Sequence, residues 1–222
     1  LRLIREDIET NYKLTLKKAL EEIDILKGDA DRTFLYSHPK FVEPMLDYIV
    51  KDLEKARITT GDFDIGGMVV CDSAAQAREM NNIFQKKYTS SNKDTAEEKK
   101  DIKTAQLILY DEGDKDTRED WVLDFKRGKL DLLFVYNMLL TGFDAERLKK
   151  LYLGRVIKAH NLLQALTRVN RPFNNFEYGY VIDFADIQKE FEKTNKDYLK
   201  ELESELGNET ENYSNLFKSE EE

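Results

Sequence analysis

The sequence contains one cysteine, three prolines and two histidines among 222 residues. Because Cys71 is the only thiol, an internal disulfide is excluded, which is typical of proteins from a reducing compartment. No apolar run reaches the ~18 residues that a membrane-spanning helix needs, and no signal peptide opens the chain. We therefore expect a soluble cytoplasmic protein without a membrane partner. The chain begins at Leu1 rather than at methionine, so we expect it to be a piece of a longer polypeptide.

A phosphate-binding loop is also absent. Such a loop needs glycines followed by Lys and Ser or Thr, whereas Gly128-Lys129, the single Gly-Lys pair, is followed by Leu130. LILYDEGD (107–114) looks like a strand that leads into the magnesium site of an ATPase, but without the loop we interpret Asp111 and Glu112 as loop acids. A Gly-x-Ser-x-Gly elbow and a recognisable nuclease cluster are missing too. The sequence thus predicts that the chain alone neither hydrolyses ATP nor cleaves DNA.

Charge is distributed unevenly. The net charge is −9, and residues 172–222 carry 14 acids against five bases, so that the remainder is neutral. Residues 147–171 contain seven bases and no acid: Arg147, Lys149, Lys150, Arg155, Lys158, Arg168 and Arg171. This segment is either a solvated face or a site for a negatively charged partner.

Short runs rich in Val, Ile, Leu and Phe alternate with helical patterns. Strands are predicted at 32–37, 66–71, 105–110, 131–136, 148–154 and 178–185, and helices at 2–27, 42–56, 74–88, 117–128 and 158–170. Pro44 is expected in the first turn of its helix, and Asp72 or Ser73 is expected to cap the helix at 74–88. This alternation predicts an α/β fold with a mostly parallel sheet and helices on both faces.

The predicted domain organisation has three parts. Residues 1–30 form an N-terminal linking helix, residues 31–186 the α/β domain, and residues 187–222 an acidic helix and tail. The helices at 2–27 and 187–206 are expected to lie outside the sheet. Functional groups in parallel sheets gather at the carboxyl ends of the strands. Those ends are predicted to carry Ser37, His38, Asp72, Ser73, residues 111–114, residues 136–144 and Arg155.

Three motifs follow one another in an informative order. Ser73 stands between a strand and a helix, TGFDA occupies 141–145, and QALTRVNRP at 164–172 contains the array Q-x-x-x-R-x-x-R. In this order the chain resembles the second RecA-like half of a superfamily 2 helicase motor. The segments VYNMLLTGFDA, LKKLYLGRVIKAHNLLQALTRVNRPF and YGYVIDFADI are similar to the restriction (R, HsdR) subunit of type I restriction–modification enzymes. The resemblance covers residues 37–187.

The resemblance implies an ATP-dependent DNA translocase. Arg168 and Arg171 would reach across a cleft to ATP and Mg²⁺ held by a first motor half, and Gln164 would orient them or a phosphate oxygen. Gly142 would allow close backbone approach, and Asp144 would meet the ribose or link to the arginines. Arginine suits this role because it stays charged and offers a planar fork of donors to phosphate oxygens. ATP and Mg²⁺ are expected in the full-length enzyme, and neither is expected to bind this fragment tightly.

Nucleic-acid contacts are implied for Ser73, Thr141 and Lys158. Tyr136 and Glu146 depart from the family pattern, where threonine and proline are expected. Lys149 and Lys150 would either attract DNA or simply face solvent. The implied partners are double-stranded DNA, the first RecA-like domain and the nuclease domain of the same chain, and the modification and specificity subunits.

Two alternatives remain open. The acidic C-terminal helix is compatible with an interaction module that has no catalytic part, and the motifs also fit a RecA-like domain of another superfamily 2 helicase. A separate alternative for Arg168 and Arg171 is that both make structural salt bridges.

Overall fold

The structure is a computed structural model that describes residues 3–6, 8–27, 32–89, 102–139, 143–155, 157, 165–174, 176, 178–184 and 217–218. Its elements are, in chain order, β1 (Leu3–Glu6), α1 (Thr10–Lys27), α2 (Arg32–Ser37), α3 (Pro39–Thr60), β2 (Gly66–Val70), α4 (Ala74–Lys87), β3 (Ala105–Ile108), α5 (Lys115–Lys126), β4 (Leu132–Val135), β5 (Leu148–Leu153), β6 (Gly179–Asp183) and β7 (Phe217–Lys218). Residues 165–169 are also helical.

The strands form a parallel sheet in the order β3-β4-β2-β5-β6-β1-β7. Val70 of β2 lies opposite Val135 of β4 on one side and Leu153 of β5 on the other. The predicted strands at 66–71 and 131–136 are therefore neighbours in the sheet. The order places β2 inside the sheet, between β4 and β5, and all of its residues are buried.

Helices cover both faces, so the predicted fold class is confirmed. We call one side the α3 face, where α1, α3 and α4 pack on alternate strand residues such as Phe134 and Tyr152. On the other side, the α5 face, Phe125 of α5 and Val169 of the 165–169 helix pack with Val135, Leu151 and their neighbours. None of the described helices combines the length and hydrophobicity that crossing a lipid bilayer requires.

Local chemistry sets the helix boundaries. Of the two residues predicted as possible caps, Ser73 starts α4 and accepts the backbone N–H three residues later at 3.1 Å. Asp114 caps α5 in the same way at 2.8 Å. The longest described helix, α3, begins with Pro39 after the His38 cap and ends at Gly61, whose φ is +68°. Pro44 therefore lies beyond the first turn, because the helix starts earlier than predicted.

Residues 32–37 were predicted as a strand, and this is wrong because they form helix α2. A short run of aromatic and apolar residues has no periodicity that separates a buried strand from a buried helix. Here α2 packs on α3 and α4, and the buried Gln76 side chain donates to the Tyr36 carbonyl at 2.8 Å. Ser37 and His38 consequently do not lie at the end of a strand.

Both ends of the chain add strands that were not predicted. The expected helix at 2–27 is correct from Thr10 to Lys27, whereas Leu3–Glu6 pairs with β6 as strand β1. Phe217–Lys218, expected in the acidic tail, pairs with β1 as strand β7. Pairing with an open sheet edge satisfies a row of backbone donors and acceptors, which outweighs helical spacing of the apolar residues. The helix predicted at 187–206 lies outside the described residues.

Candidate functional site

The predicted site residues divide into two groups. Arg168, Arg171, Asp144 and Ser73 belong to the described part of the chain. The other four, namely Gln164, Gly142, Thr141 and Lys158, lie outside the described residues.

Arg168, Arg171 and Asp144 come together on the α5 face, and we call them the arginine cluster. The Arg171 guanidinium lies 2.6 Å from the Asp144 carboxylate, and both side chains are about half exposed, at 49% and 50%. Arg168 donates to the Phe143 carbonyl. Burial lowers the pKa of Arg168 and so does the charge of Arg171, while Asp144 acts in the opposite direction. Two guanidinium groups thus lie near one carboxylate beside solvent, and Arg171 is paired with it.

Packing on each side holds the cluster in place. Phe143 is buried against the Phe125 ring of α5, with 5.9 Å between ring centroids, and this fixes the backbone next to Asp144. In the helix at 165–169 the residues Ala165, Leu166 and Val169 are buried, and Arg168 lies between them on a more exposed side. The arginines therefore lie opposite the apolar contacts that anchor their helix.

The cluster lies towards the amino ends of β5 and β6. The Lys149 ammonium, near the start of β5, donates to the carbonyl of Arg171. Asn174 donates at 2.7 Å to Asp62, which precedes β2. The expectation that the site collects at the carboxyl ends of the strands is therefore wrong for the arginine cluster. Residues 143–147 lead into the start of β5, so Asp144 lies before the amino end of that strand.

A groove of about 480 Å³ extends along α5 to Asp144. Its lining is largely apolar and includes Val122, Met138 and Phe143, while Arg118 and Asp144 add charge. This volume lies within the range of small-molecule sites in proteins, about 300–1,000 Å³. The arginine cluster thus borders a recess rather than a flat surface.

The carboxyl edge of the sheet holds a second group of polar residues. Ser73 follows β2, and its hydroxyl accepts the backbone N–H of Gln76 at 3.1 Å. Arg155 follows β5, stacks at 4.7 Å over the Tyr136 ring and donates at 2.9 Å to Asn137. Because β2 lies between β4 and β5, Ser73 has Tyr136 and Asn137 on the side of β4 and Arg155 on the side of β5. Ser73 and the arginine cluster therefore belong to different parts of the surface.

Three of the seven bases at 147–171 are buried, which contradicts their interpretation as parts of a surface for an anion. Arg147 is 4% exposed and donates to the carbonyls of Asp64, Phe125 and Leu130 at 2.6–2.8 Å. Burial, together with the charge of Arg57, lowers the pKa of Arg147 to about 10.

Lys149 and Lys150 are also buried, at 0% and 2% exposure. Lys149 faces the helix at 165–169, and Lys150 pairs with Glu6 and, at 3.1 Å, with Asp52. The suggestion that these two lysines attract DNA is therefore wrong. A strand that is covered on both faces has no solvent-facing side, so successive lysines point into opposite layers.

Asp111 and Glu112 behave as loop acids, as predicted. Arg78 of α4 reaches both carboxylates, with 2.7 Å to Asp111. The hydrogen bond from Arg78 lowers the pKa of Asp111. The described residues include no group of three or more His, Cys, Asp or Glu that could hold a metal ion.

Comparison with known families identifies the chain. The family described as type I restriction enzyme subunit R domain 3 matches residues 71–186, just over half of the sequence. The chain belongs to this family. The predicted resemblance to the R subunit is thereby confirmed, and the matched segment of this R-subunit domain contains Ser73 and the whole arginine cluster.

Individual relatives agree with the family. A putative type I restriction enzyme endonuclease subunit of Methanocaldococcus jannaschii is 46% identical over 63 residues, which cover 28% of this chain and 6% of the relative. The HindI endonuclease subunit of Haemophilus influenzae is 35% identical over 101 residues, which cover 44% of this chain and 10% of the relative. The chain thus spans about a tenth or less of these relatives.

Solved helicase structures show a distant likeness to this R-subunit domain. One is domain 2 of the DEAD-box helicase Mss116p bound to an RNA duplex, which is 12% identical with a TM-score of 0.44. The superposed region covers 91% of this chain and 59% of the Mss116p chain. Another is the Mycobacterium smegmatis helicase Lhr bound to single-stranded DNA and AMP-PNP, which is 13% identical with a TM-score of 0.45. Here the superposed region covers 93% of this chain and 22% of the Lhr chain.

Sequence reasoning missed two contributors to the site. Lys149 was assigned to the surface, although its place in a strand covered on both faces could have indicated burial. Gln76 was read as an ordinary helix residue, yet its buried amide accepts the Asp72 N–H at 2.6 Å and joins the end of β2 to α2. No local pattern signals the role of Gln76, because its partners are distant in sequence.

Proposed function

We propose that this chain is the second motor domain of an ATP-dependent DNA translocase within a type I restriction enzyme R subunit. In this proposal ATP and Mg²⁺ are held by a first RecA-like domain of the same polypeptide. Arg168 and Arg171 complete the ATP site across the cleft between the two domains. The complete subunit would work in the cytoplasm with a nuclease domain and with modification and specificity subunits.

The observation that carries the proposal is the arginine cluster itself. Arg171 is half exposed and is held at 2.6 Å by Asp144, and burial together with the neighbouring charge of Arg171 lowers the pKa of Arg168. A phosphate would relieve the repulsion between the two guanidinium groups. Phosphoryl transfer spreads negative charge over the phosphate oxygens, so positioned arginines stabilise its transition state. In this proposal Gln164 would orient the arginines or a phosphate oxygen, and Gly142 would allow close backbone approach.

In this proposal the two motor domains contribute different groups to the ATP site, and the chemistry of this chain indicates which. The sequence has no phosphate-binding loop, and the described residues offer no metal cluster, so both functions belong to the first domain in this proposal. Asp144 would orient Arg171 or meet the ribose. This chain would then contribute positive charge rather than the nucleophile or the metal.

DNA is proposed to contact the carboxyl edge through its phosphates. The Ser73 hydroxyl already accepts one hydrogen bond, and its own hydrogen can be donated to a phosphate oxygen. Thr141 and Lys158 complete the proposed set of contacts. Such contacts carry little sequence information, which suits an enzyme that moves along DNA.

The test uses the complete R subunit assembled with its modification and specificity subunits. Arg171→Ala or Arg168→Ala should lower DNA-stimulated ATP hydrolysis by about 10³-fold, and Arg171→Lys should restore little of it because an ammonium lacks the planar fork. Arg78→Ala is the matched control, since it removes another arginine that pairs with exposed carboxylates.

Hydrolysis rates and melting temperatures should be measured together. The proposal requires that the two alanine variants lose hydrolysis while keeping the melting temperature of the wild type. Near-normal hydrolysis combined with melting several degrees lower would instead make the two arginines a structural clamp.

A further inference from the structure

Lys149 is a lysine in an apolar layer. It occupies the same face of β5 as Leu151 and Leu153, and all three side chains are fully buried. Burial lowers the pKa of Lys149 to about 8, and the carboxylate of Glu146 opposes this shift. Lysine is almost never fully buried without a partner, because its ammonium loses hydration. A leucine or methionine would fill the same space without this cost.

The hydrogen-bond partners of the Lys149 ammonium are carbonyls at the end of the helix at 165–169. It donates to the carbonyl of Arg171 and, at 3.4 Å, to that of Val169. The last carbonyls of a helix have no partner within the helix, and a cation is favoured there. Pro172 prevents the helix from continuing, so these carbonyls need an external donor.

A second contact restrains the same helix end. A Cβ on Gly179, the first residue of β6, would collide with the Val169 carbonyl oxygen. The helix terminus therefore packs directly on the backbone of β6 on one side and meets the Lys149 ammonium on another. Both restraints act within two residues of Arg168 or Arg171.

We propose that Lys149 is a positioning residue for the arginine cluster: its buried ammonium holds the end of the 165–169 helix so that Arg168 and Arg171 meet the transferring phosphate. This inference rests on the proposed function of the two arginines. Lys149→Met removes the desolvation cost of a buried ammonium but leaves two carbonyls without this donor, so its effects on stability oppose each other. A positioning role therefore predicts a loss of activity larger than any loss of stability explains.

The experiment compares variants of the complete R subunit, assembled with its modification and specificity subunits, in DNA-stimulated ATP hydrolysis. Lys149→Met should lower kcat by roughly 10- to 100-fold, because a small displacement of a catalytic group has effects of this size. The KM for ATP should change little, since the interaction acts on the transition state. Lys149→Gln should recover part of kcat, because its amide can still donate to a carbonyl.

Lys150→Met is the matched control. Lys150 is the adjacent buried lysine, but it points into the opposite layer and pairs with Glu6 and Asp52. Its replacement should lower the melting temperature and leave kcat close to the wild-type value. The two lysines should thus separate activity from stability, with Lys149→Met affecting the first and Lys150→Met the second.

Several outcomes would overturn the inference. Wild-type kcat in Lys149→Met, or an equal loss in Lys149→Met and Lys150→Met, would do so. Failure of both Lys149 variants to fold would make Lys149 a structural residue. Arg171→Ala separates the two proposals: if it abolishes hydrolysis while Lys149→Met does not, only the positioning role fails. If Arg171→Ala is fully active, the proposed function fails and the positioning role with it.

Discussion

The Asp144 carboxylate and the Arg171 guanidinium lie 2.6 Å apart, although they belong to separate motifs of the sequence. Asp144 precedes β5, and Arg171 follows the helix at 165–169 that packs on β5 and β6. Their contact brings TGFDA and QALTRVNRP into one site. It also leaves each side chain half exposed, so that Arg171 is held but remains accessible.

Removing the carboxylate should affect activity more than stability. In the complete R subunit, Asp144→Asn is expected to lower DNA-stimulated ATP hydrolysis by roughly tenfold or more, because Arg171 loses the group that orients it. The free energy of unfolding should change by less than about 1 kcal/mol, as for other exposed ion pairs. Asp111→Asn, which alters another exposed acid paired with an arginine, is the control. Equal hydrolysis by both variants would remove Asp144 from the proposed site.

Lys149 should give the chain a distinctive pH dependence of stability. Burial lowers its pKa from 10.5 to about 8 in the folded chain. Between these values the unfolded state holds a proton that the folded state has released, so the free energy of unfolding rises with pH. Urea denaturation of the wild type and of Lys149→Met from pH 7 to 11 would measure the difference. The free energy of unfolding of the wild type minus that of Lys149→Met should rise between about pH 8 and pH 10.5. Parallel curves for the two proteins would contradict the assignment.

The buried pair of Arg57 and Asp131 should dominate stability near the amino ends of the strands. Arg57 donates to Asp131 at 2.7 Å, and the same carboxylate accepts the Thr104 N–H and hydroxyl at 3.0 and 2.8 Å. Asp131→Ala should lower the free energy of unfolding by about 3–5 kcal/mol, because it leaves a buried guanidinium without its carboxylate. Chemical denaturation would measure the loss. Lys87→Ala, which removes an exposed ion pair with Asp47, should cost about 1 kcal/mol at most.

The isolated 222-residue chain should not hydrolyse ATP, with or without Mg²⁺. It has no phosphate-binding loop, and Asp111 and Glu112 are engaged by Arg78. Phosphate release by the purified chain should equal the blank. Turnover that persists through purification and disappears in Asp111→Ala would show that the DEGD loop has a catalytic role.

Several features were predictable because their causes are local. Ser73 caps α4 with its own hydroxyl. The apolar composition of the strands at 66–71, 105–110 and 131–136 indicates by itself that both of their faces are buried. The helix that carries Arg168 was also predicted, although the described part of it ends at Val169 and Arg171 follows it. Such features depend on residues a few positions apart, so the sequence states them directly.

Other features depend on partners that are distant in the chain. Residues 32–37 became helix α2 because α3 and α4 provide its packing surface, and Leu3–Glu6 became a strand because β6 had an open edge. The burial of Lys149 and Lys150 follows from the layers on either side of β5. From the composition alone, these two lysines count only as positive charges. Tertiary structure decides such cases because the free energy of a buried ammonium is set by the oxygens that surround it, and these come from other elements.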